Sequence, residues 1–461
     1  MKKLFTVLIL LNLIAIAAFA QFEDDDFFFD DGIEEVTSVS ASSDLSKGIL
    51  FENGSVKIGG SLSSSISTMT TLFSSEDKSF SDNLADTTLT PTLNSTLSID
   101  ARPVQDLRIY TKFAFNYPFT SVGTGTIPNP IPNPIPNPNP NPPPTVVPVA
   151  ISDYLNVKEC FTDFSVADRA YFRFGIHTVS WGTGFFFSPV SDIINTSSIN
   201  PEDTDAQVDG CLNLRAQITF PDSLNCLWLY AVPSSDFKAN KTAFAAKYEF
   251  LIGGWEIGTG AYYKYEAAPK AMITASGSLK KMTIFGEALY QYGGNSEWEA
   301  DSSWNNKSNI FQATVGVSYY WKDPQITLAA QYYYDGNDVD KLYSIPGILV
   351  IPEFYQGHNI AFITNFGKIG DVKDLSISLF GMMNFGRNDV FVTPEVLPNL
   401  GTKGLKESDI YLPVATFSAT ANYSVNSALS FGAGPYITVT DWDEKPVVAL
   451  KLSAKLGGGN Y

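Results

Sequence analysis

The chain has 461 residues, of which 48 are acidic and 30 basic, for a formal net charge of −18. That balance argues against nucleic acid, whose partners are usually basic, and the length exceeds that of a typical single soluble domain. The 33 Phe, 22 Tyr and 34 Gly suit strand-rich walls with aromatic girdles rather than one packed core.

Met1 to Ala20 reads as a secretory signal, with Lys2 and Lys3 at its start, an apolar run from Leu4 to Ile16, and the small-residue cleavage site Ala18-Phe19-Ala20. No Cys follows the cleavage site, so a lipid anchor has no attachment point. Residues 21–47 form an acidic leader, expected in the periplasm, in which Phe27-Phe28-Phe29 stands between Asp24-Asp25-Asp26 and Asp30-Asp31. Such like-charge clusters are normally solvated. A lumen plug or a docking peptide is the other use for the three Phe.

From residue 48 to 461 the chain reads as an all-β, transmembrane, antiparallel up-and-down β-barrel of about 18 strands, with 16 also compatible. The clearest stretch runs from Trp255 to Tyr292. Trp255, Ile257, Ala261, Tyr263 and Tyr265 alternate with Glu256, Gly258, Tyr262, Lys264 and Glu266. The same phase resumes with Met282, Ile284, Ala288 and Tyr290 against Thr283, Glu287 and Gln291. Alternate side chains face opposite sides of a strand, and about ten residues, tilted, cross a bilayer. Soluble sandwiches normally use strands of about five or six.

Connections alternate in length. Short turns fall at 103–104, 166–168, 221–224, 323–324 and 425–426, and long loops at 69–90, 118–151, 180–209, 335–356 and 386–410. Short turns belong on the periplasmic side and long loops outside the cell. The loop 118–151 carries alternating Asn-Pro and Ile-Pro from Ile127 to Pro144. Proline at every second position forbids a ladder strand and favours an extended rod. That rod is either a spacer or a recognition handle.

With apolar faces assigned to lipid, parity puts Arg108, Lys112, Arg173, His177, Arg215, Lys264, Glu287, Lys451 and Lys455 on the lumen wall. A basic wall in a narrow aqueous pore concentrates anions, although some of these cations can instead pair with neighbouring carboxylates. After His177, the residues Trp181, Gly182, Phe186, Asp192 and Asn195 fall in a loop whose Phe185-Phe186-Phe187 run is too apolar for open solvent. Such a loop either packs over the barrel mouth or folds in as a constriction, lined by Asp192, Asn195, Glu202, Asp203 and Asp205.

Other chemistry is poorly supported. The acidic runs Glu202–Asp209 and Asp335–Asp340 lack a calcium-loop spacing. The two His and three Cys make no zinc pattern, and nothing around His177 completes a catalytic triad. Neither a metal, a cofactor nor an enzyme activity is expected. Cys211 and Cys226 would be staggered by roughly 20 Å in a regular hairpin, beyond disulfide reach, so all three cysteines are read as free.

The stretch Tyr154–Asn195 carries Lys158, Glu159, Phe161, Asp163, Phe172, Arg173, Phe174 and Gly175. It continues with Trp181, Gly182, Gly184, Pro189, Asp192 and Asn195. It resembles a recurring segment of Gram-negative porin-like barrels, including the alginate-export type, but carries Ile176-His177 where that segment often has Arg-Gln. The resemblance implies a porin-like channel or exporter in the outer membrane.

The sequence therefore points to a porin-like channel for small polar solutes, with anions favoured if the basic wall acts as a unit, embedded in outer-membrane lipid. The rival readings are a hydrophobic-solute transporter with an N-terminal plug and a barrel that displays the proline loop.

Overall fold

The alternating segments form one continuous antiparallel sheet. A computed structural model describes residues 49–74, 79–117, 154–167, 169–203, 207–322, 324–337, 357–367, 374–385, 414–426, 428–439, 442 and 445–460. In chain order the first strands are β1 (Ile49–Asn53), β2 (Val56–Phe73), β3 (Leu89–Val104), β4 (Leu107–Tyr117), β5 (Leu155–Val166) and β6 (Ala170–His177). After a long connection come β7 (Cys211–Thr219), β8 (Cys226–Val232), β9 (Ala243–Ile252), β10 (Trp255–Tyr263), β11 (Lys270–Leu279), β12 (Met282–Tyr292) and β13 (Asn309–Trp321). The remaining strands are β14 (Ile326–Asp335), β15 (Gly357–Phe366), β16 (Leu375–Asn384), β17 (Ala415–Ser424), β18 (Leu429–Val439) and β19 (Val447–Asn460).

Consecutive strands pair antiparallel from β2 through β19, and β19 returns to β2 along Val448↔Phe73 to Asn460↔Ser61. The result is a closed barrel of 18 strands, which leaves no open edge to aggregate. The remaining strand, β1, is a short hairpin partner of β2 that fits below the end of β19. Its turn uses Asn53-Gly54, a strong short-range hairpin signal. The Asn53 carboxamide oxygen accepts from the backbone N–H groups of Ser55 and Val56, at 3.0 and 2.8 Å.

Sequence boundaries shift where β-formers continue past the expected loop. β2 runs on through Met69-Thr70-Thr71-Leu72-Phe73, and β3 begins at Leu89, so the first long loop is shorter than expected. The signal, the acidic leader and the loops 118–151 and 386–410 lie outside the described residues.

The outer wall is apolar. Phe174, Phe244, Ile273 and Val315 point outward and are each more than half exposed. Two aromatic belts bound this zone. On the turn side, Tyr423 sits opposite Phe431 and Phe164 stacks on Phe172 at 4.8 Å. On the loop side, Tyr290 sits opposite Phe311 and Phe244 opposite Tyr263. A continuous apolar band between aromatic belts is stable in hydrocarbon and not in water. Such a wall belongs to a membrane-spanning β-barrel.

Candidate functional site

The connection from β6 to β7 turns into the barrel. Asn195 fixes its root by a reciprocal pair with Val179, accepting from the Val179 N–H at 2.8 Å and donating to the Val179 carbonyl at 2.9 Å. The Trp181 indole donates to the Val190 carbonyl at 2.6 Å, and its ring meets Tyr230 edge-on at 4.9 Å. Of the Phe run, Phe186 and Phe187 are buried as their composition demands, whereas Phe185 stays exposed, its ring edge-on to Phe186 at 4.7 Å. Phe186 packs near Phe380, and Phe187 stacks on Tyr333 at 5.1 Å.

A loop held inside a barrel must satisfy its backbone without a sheet partner. Three inward side chains at mid-strand do this. Glu287 on β12 accepts from the Thr183 N–H at 2.7 Å and the Val190 N–H at 3.3 Å. Gln331 on β14 accepts from the backbone of Phe185, Phe186 and Phe187 at 3.0, 2.6 and 3.4 Å, and donates to the Phe187 carbonyl at 2.7 Å. Lys247 on β9 donates to the Trp181 carbonyl and to Glu249, the latter at 2.6 Å. Gly182 is required at the closest approach, because a Cβ there would run into Glu287 and Ser188. At the far end of the loop, the Tyr436 hydroxyl of β18 donates to Glu202 at 2.8 Å.

The loop therefore packs against lumen-facing side chains from β8 to β16 and reaches β18 at Tyr436, which leaves the lumen face from β3 to β7 as the barer wall. That wall carries the charged residues. Arg108, Asp163, Arg173 and Arg215 lie on one rung across β4, β5, β6 and β7, each in register with the next. Arg173 pairs with Asp163 at 2.6 Å, and Arg108 grips Asp100 of β3 at 2.9 Å while reaching Asp163 at 3.6 Å. Arg215 has no carboxylate partner among the described residues, and its Nε is buried without a hydrogen bond. Three guanidinium groups thus share two carboxylates, leaving the rung positive.

Aromatic rings support this rung. Arg173 lies 3.8 Å from the Phe161 ring centroid, Arg108 4.9 Å from that of Tyr110, and Arg215 5.4 Å from that of Trp228. Each such contact contributes about 0.5–1 kcal/mol at an exposed site, and together they limit the rotamers of three long side chains. Gly175, at φ +140°, makes room for Phe161, which a Cβ would strike.

The expected pore residues divide into groups. Arg108, Arg173 and Arg215 meet on the rung, and Lys112 stands above it opposite Glu159. Lys451 and Lys455 lie exposed on β19, facing Met69 and Ser65 of β2. His177 and Glu287 have the expected inward parity but do not line the pore. They are 0% and 4% exposed: Glu287 is bonded by the inward loop, and the His177 ring meets Phe161 edge-on at 5.9 Å. Lys264 falls just past β10, in the connection to β11. Trp181, Gly182, Phe186 and Asn195 belong to the inward loop, where Trp181 and Phe186 anchor it from beneath. Asp192 sits in its short 3-10 turn, Ser191–Ile193.

Parity alone would have placed Gln331 inward, a lone amide between Ala329 and Tyr333, but its role as the loop's acceptor needs the loop's path. The Tyr436–Glu202 bridge, spanning 234 residues of chain, has no local signal. All three cysteines are free, and Cys211 and Cys226 are staggered as expected, with Cys226 opposite Thr219.

No protein-family model matches the chain, and no curated protein matches it in sequence. Among solved structures it is similar to Pseudomonas aeruginosa OccK3 (OpdO), at 8% identity and a TM-score of 0.46 over 87% of this chain and 95% of that one. The outer membrane protein OpdK of Pseudomonas aeruginosa matches at 7% identity and a TM-score of 0.46, covering 88% and 99% of the two chains. Acinetobacter baumannii OccAB4 matches at 8% identity and a TM-score of 0.44, covering 87% and 98%. At such identities the similarity is one of barrel architecture.

Proposed function

We propose that the chain is a porin-like channel, exported by its N-terminal signal, that passes small polar solutes by passive diffusion and favours anions. The observation that carries this reading is the positive rung of Arg108, Arg173 and Arg215 on the wall that the inward loop leaves barer. A fixed excess of guanidinium in a narrow pore acts most strongly where water is scarce. The resemblance of residues 154–195 to barrels of the alginate-export type agrees with a channel or exporter. A hydrophobic-solute transporter fits less well, because the apolar lumen-face side chains Tyr230, Met272, Leu289, Tyr333 and Phe380 are buried in clusters with the loop.

Swelling of liposomes containing the purified protein tests the proposal. A neutral pentose and a sugar carboxylate of similar size should both enter, the carboxylate faster. Swelling no faster than in protein-free liposomes would contradict the channel, and faster entry of the neutral sugar would contradict the anion preference.

A further inference from the structure

The outer wall carries a recess in its loop-side half. There the lipid-facing side chains of β7 to β10 stand on two successive rungs. The upper rung reads Leu214, Ala231, Phe244 and Tyr263, and the lower one sets Ala246 opposite Ala261. Phe244, Tyr263 and Leu214 project from the wall, 58%, 47% and 40% exposed, whereas each alanine adds only a methyl group. A hollow of about 500 Å³ lies between them, with no charged or amide side chain in its lining. That volume is in the range of small-ligand sites. An apolar hollow in a bilayer does not hold water, and leaving it empty forfeits the dispersion contacts of its lining. Its natural filling is hydrocarbon.

The connection directly above the recess supplies charge. Ala231 and Phe244 pair one residue from the ends of β8 and β9, so residues 233–242 leave the wall at the recess's upper border. In that connection Lys238 and Lys241 share one carboxylate, Asp236, at 3.2 and 3.7 Å, and both lysine side chains stay exposed. Two lysines and one aspartate leave a positive surplus, on a chain whose formal net charge is −18. Between the charges Phe237 is 73% exposed and holds a φ of +52°, a backbone conformation uncommon for a bulky residue. A ring held out beside two lysines at a strand end suits the headgroup layer of a membrane.

We propose that this face binds lipid A, a phosphorylated and acylated glycolipid, with one acyl chain in the recess and a phosphate at Lys238 and Lys241. A neutral lipid could fill the recess, but only an anionic headgroup answers the surplus charge above it. The choice of lipid A over an anionic phospholipid rests on the outer-membrane reading with long loops outside, where that glycolipid forms the leaflet. The recess and its basic rim do not depend on transport.

Competitive native mass spectrometry of the full-length folded protein in detergent tests this. Lipid A, dephosphorylated lipid A and phosphatidylglycerol are offered at equal concentrations, and barrel closure is checked by heat-modifiable gel mobility. The native protein should retain lipid A about five-fold over the dephosphorylated form, as about one net cation near a charged headgroup allows. Lys238→Gln/Lys241→Gln should abolish that preference while keeping acyl binding. Ala246→Phe fills the recess from a lipid-facing position that tolerates apolar side chains. It should cut retention of both forms by about five-fold or more, since the chain loses its packing contacts. Equal retention of the two forms, preference for phosphatidylglycerol, or native-like retention by Ala246→Phe overturns the proposal. A lipid-free dimer that Ala246→Phe dissociates also overturns it and gives the recess to a second copy. A barrel that retains lipid A as expected but conducts no ions upholds the site and refutes the channel reading alone.

Discussion

Arg173 and Arg215 stand directly opposite one another on β6 and β7, yet the carboxylate of Asp163 bonds the first and not the second. The pair is an electrostatic conflict built into the wall. Like charges in register are destabilising in a sheet, so their retention on the barer side of the lumen fits a role in the pore field. Asp163 is the counterweight, shared between Arg173 and Arg108.

Substitution on either side of this balance should move selectivity in opposite directions. Asp163→Asn removes the shared carboxylate and should increase anion preference, while costing about 1.5–3 kcal/mol as charged hydrogen bonds are lost. Arg215→Gln should lower anion preference and leave stability the same or better, because it removes the unpaired member. Ion selectivity and denaturant unfolding, measured on both variants, check this. Changes in the same direction would show that the rung does not act as one field.

The inward loop hangs on a few acceptors, so its release is separable from barrel folding. Gln331→Ala leaves the N–H groups of Phe185, Phe186 and Phe187 without their acceptor, at about 1–3 kcal/mol for each one left buried and unsatisfied. Glu287→Ala removes the charge-assisted acceptor of Thr183 and Val190. Both variants should keep the heat-modifiable mobility of a closed barrel while showing larger and noisier single-channel currents. Native-like currents in both would mean that these contacts do not hold the loop in place.

Much of this architecture is legible in the chain because a membrane wall imposes a strict period of two. The alternation around Trp255–Tyr263 and Met282–Tyr292, the unequal connections and the cysteine stagger all follow from that rule. The arginine rung is legible in part: parity puts Arg108, Arg173 and Arg215 inside, but their common height depends on register, which turns and bulges set. One such bulge falls between Lys112 and Phe113. The burial of His177 and Glu287 is not legible from parity, because parity gives direction and not what lies overhead. The β1 hairpin is not legible from the alternation, although Asn53-Gly54 suits its turn.

Facing is tested by a pair of neighbours on β19. Leu452 points to lipid and Lys451 to the lumen. Leu452→Arg should cost about 2–4 kcal/mol if it lies near the midplane, and Lys451→Ala little, because only the lipid face penalises charge. Reversible denaturant unfolding in liposomes measures both. Equal costs would invert or blur the assignment of faces.

The central claim is that the arginine rung sets the field in an open pore. Reversal potentials under a salt gradient across a planar bilayer test it most directly, comparing the native protein with an Arg173→Gln/Arg215→Gln variant. The native channel should prefer anions. The variant should prefer them less, and its remaining preference should depend less on ionic strength, since screening acts on the same field. A cation-selective native channel, or a variant indistinguishable from it, would contradict the account.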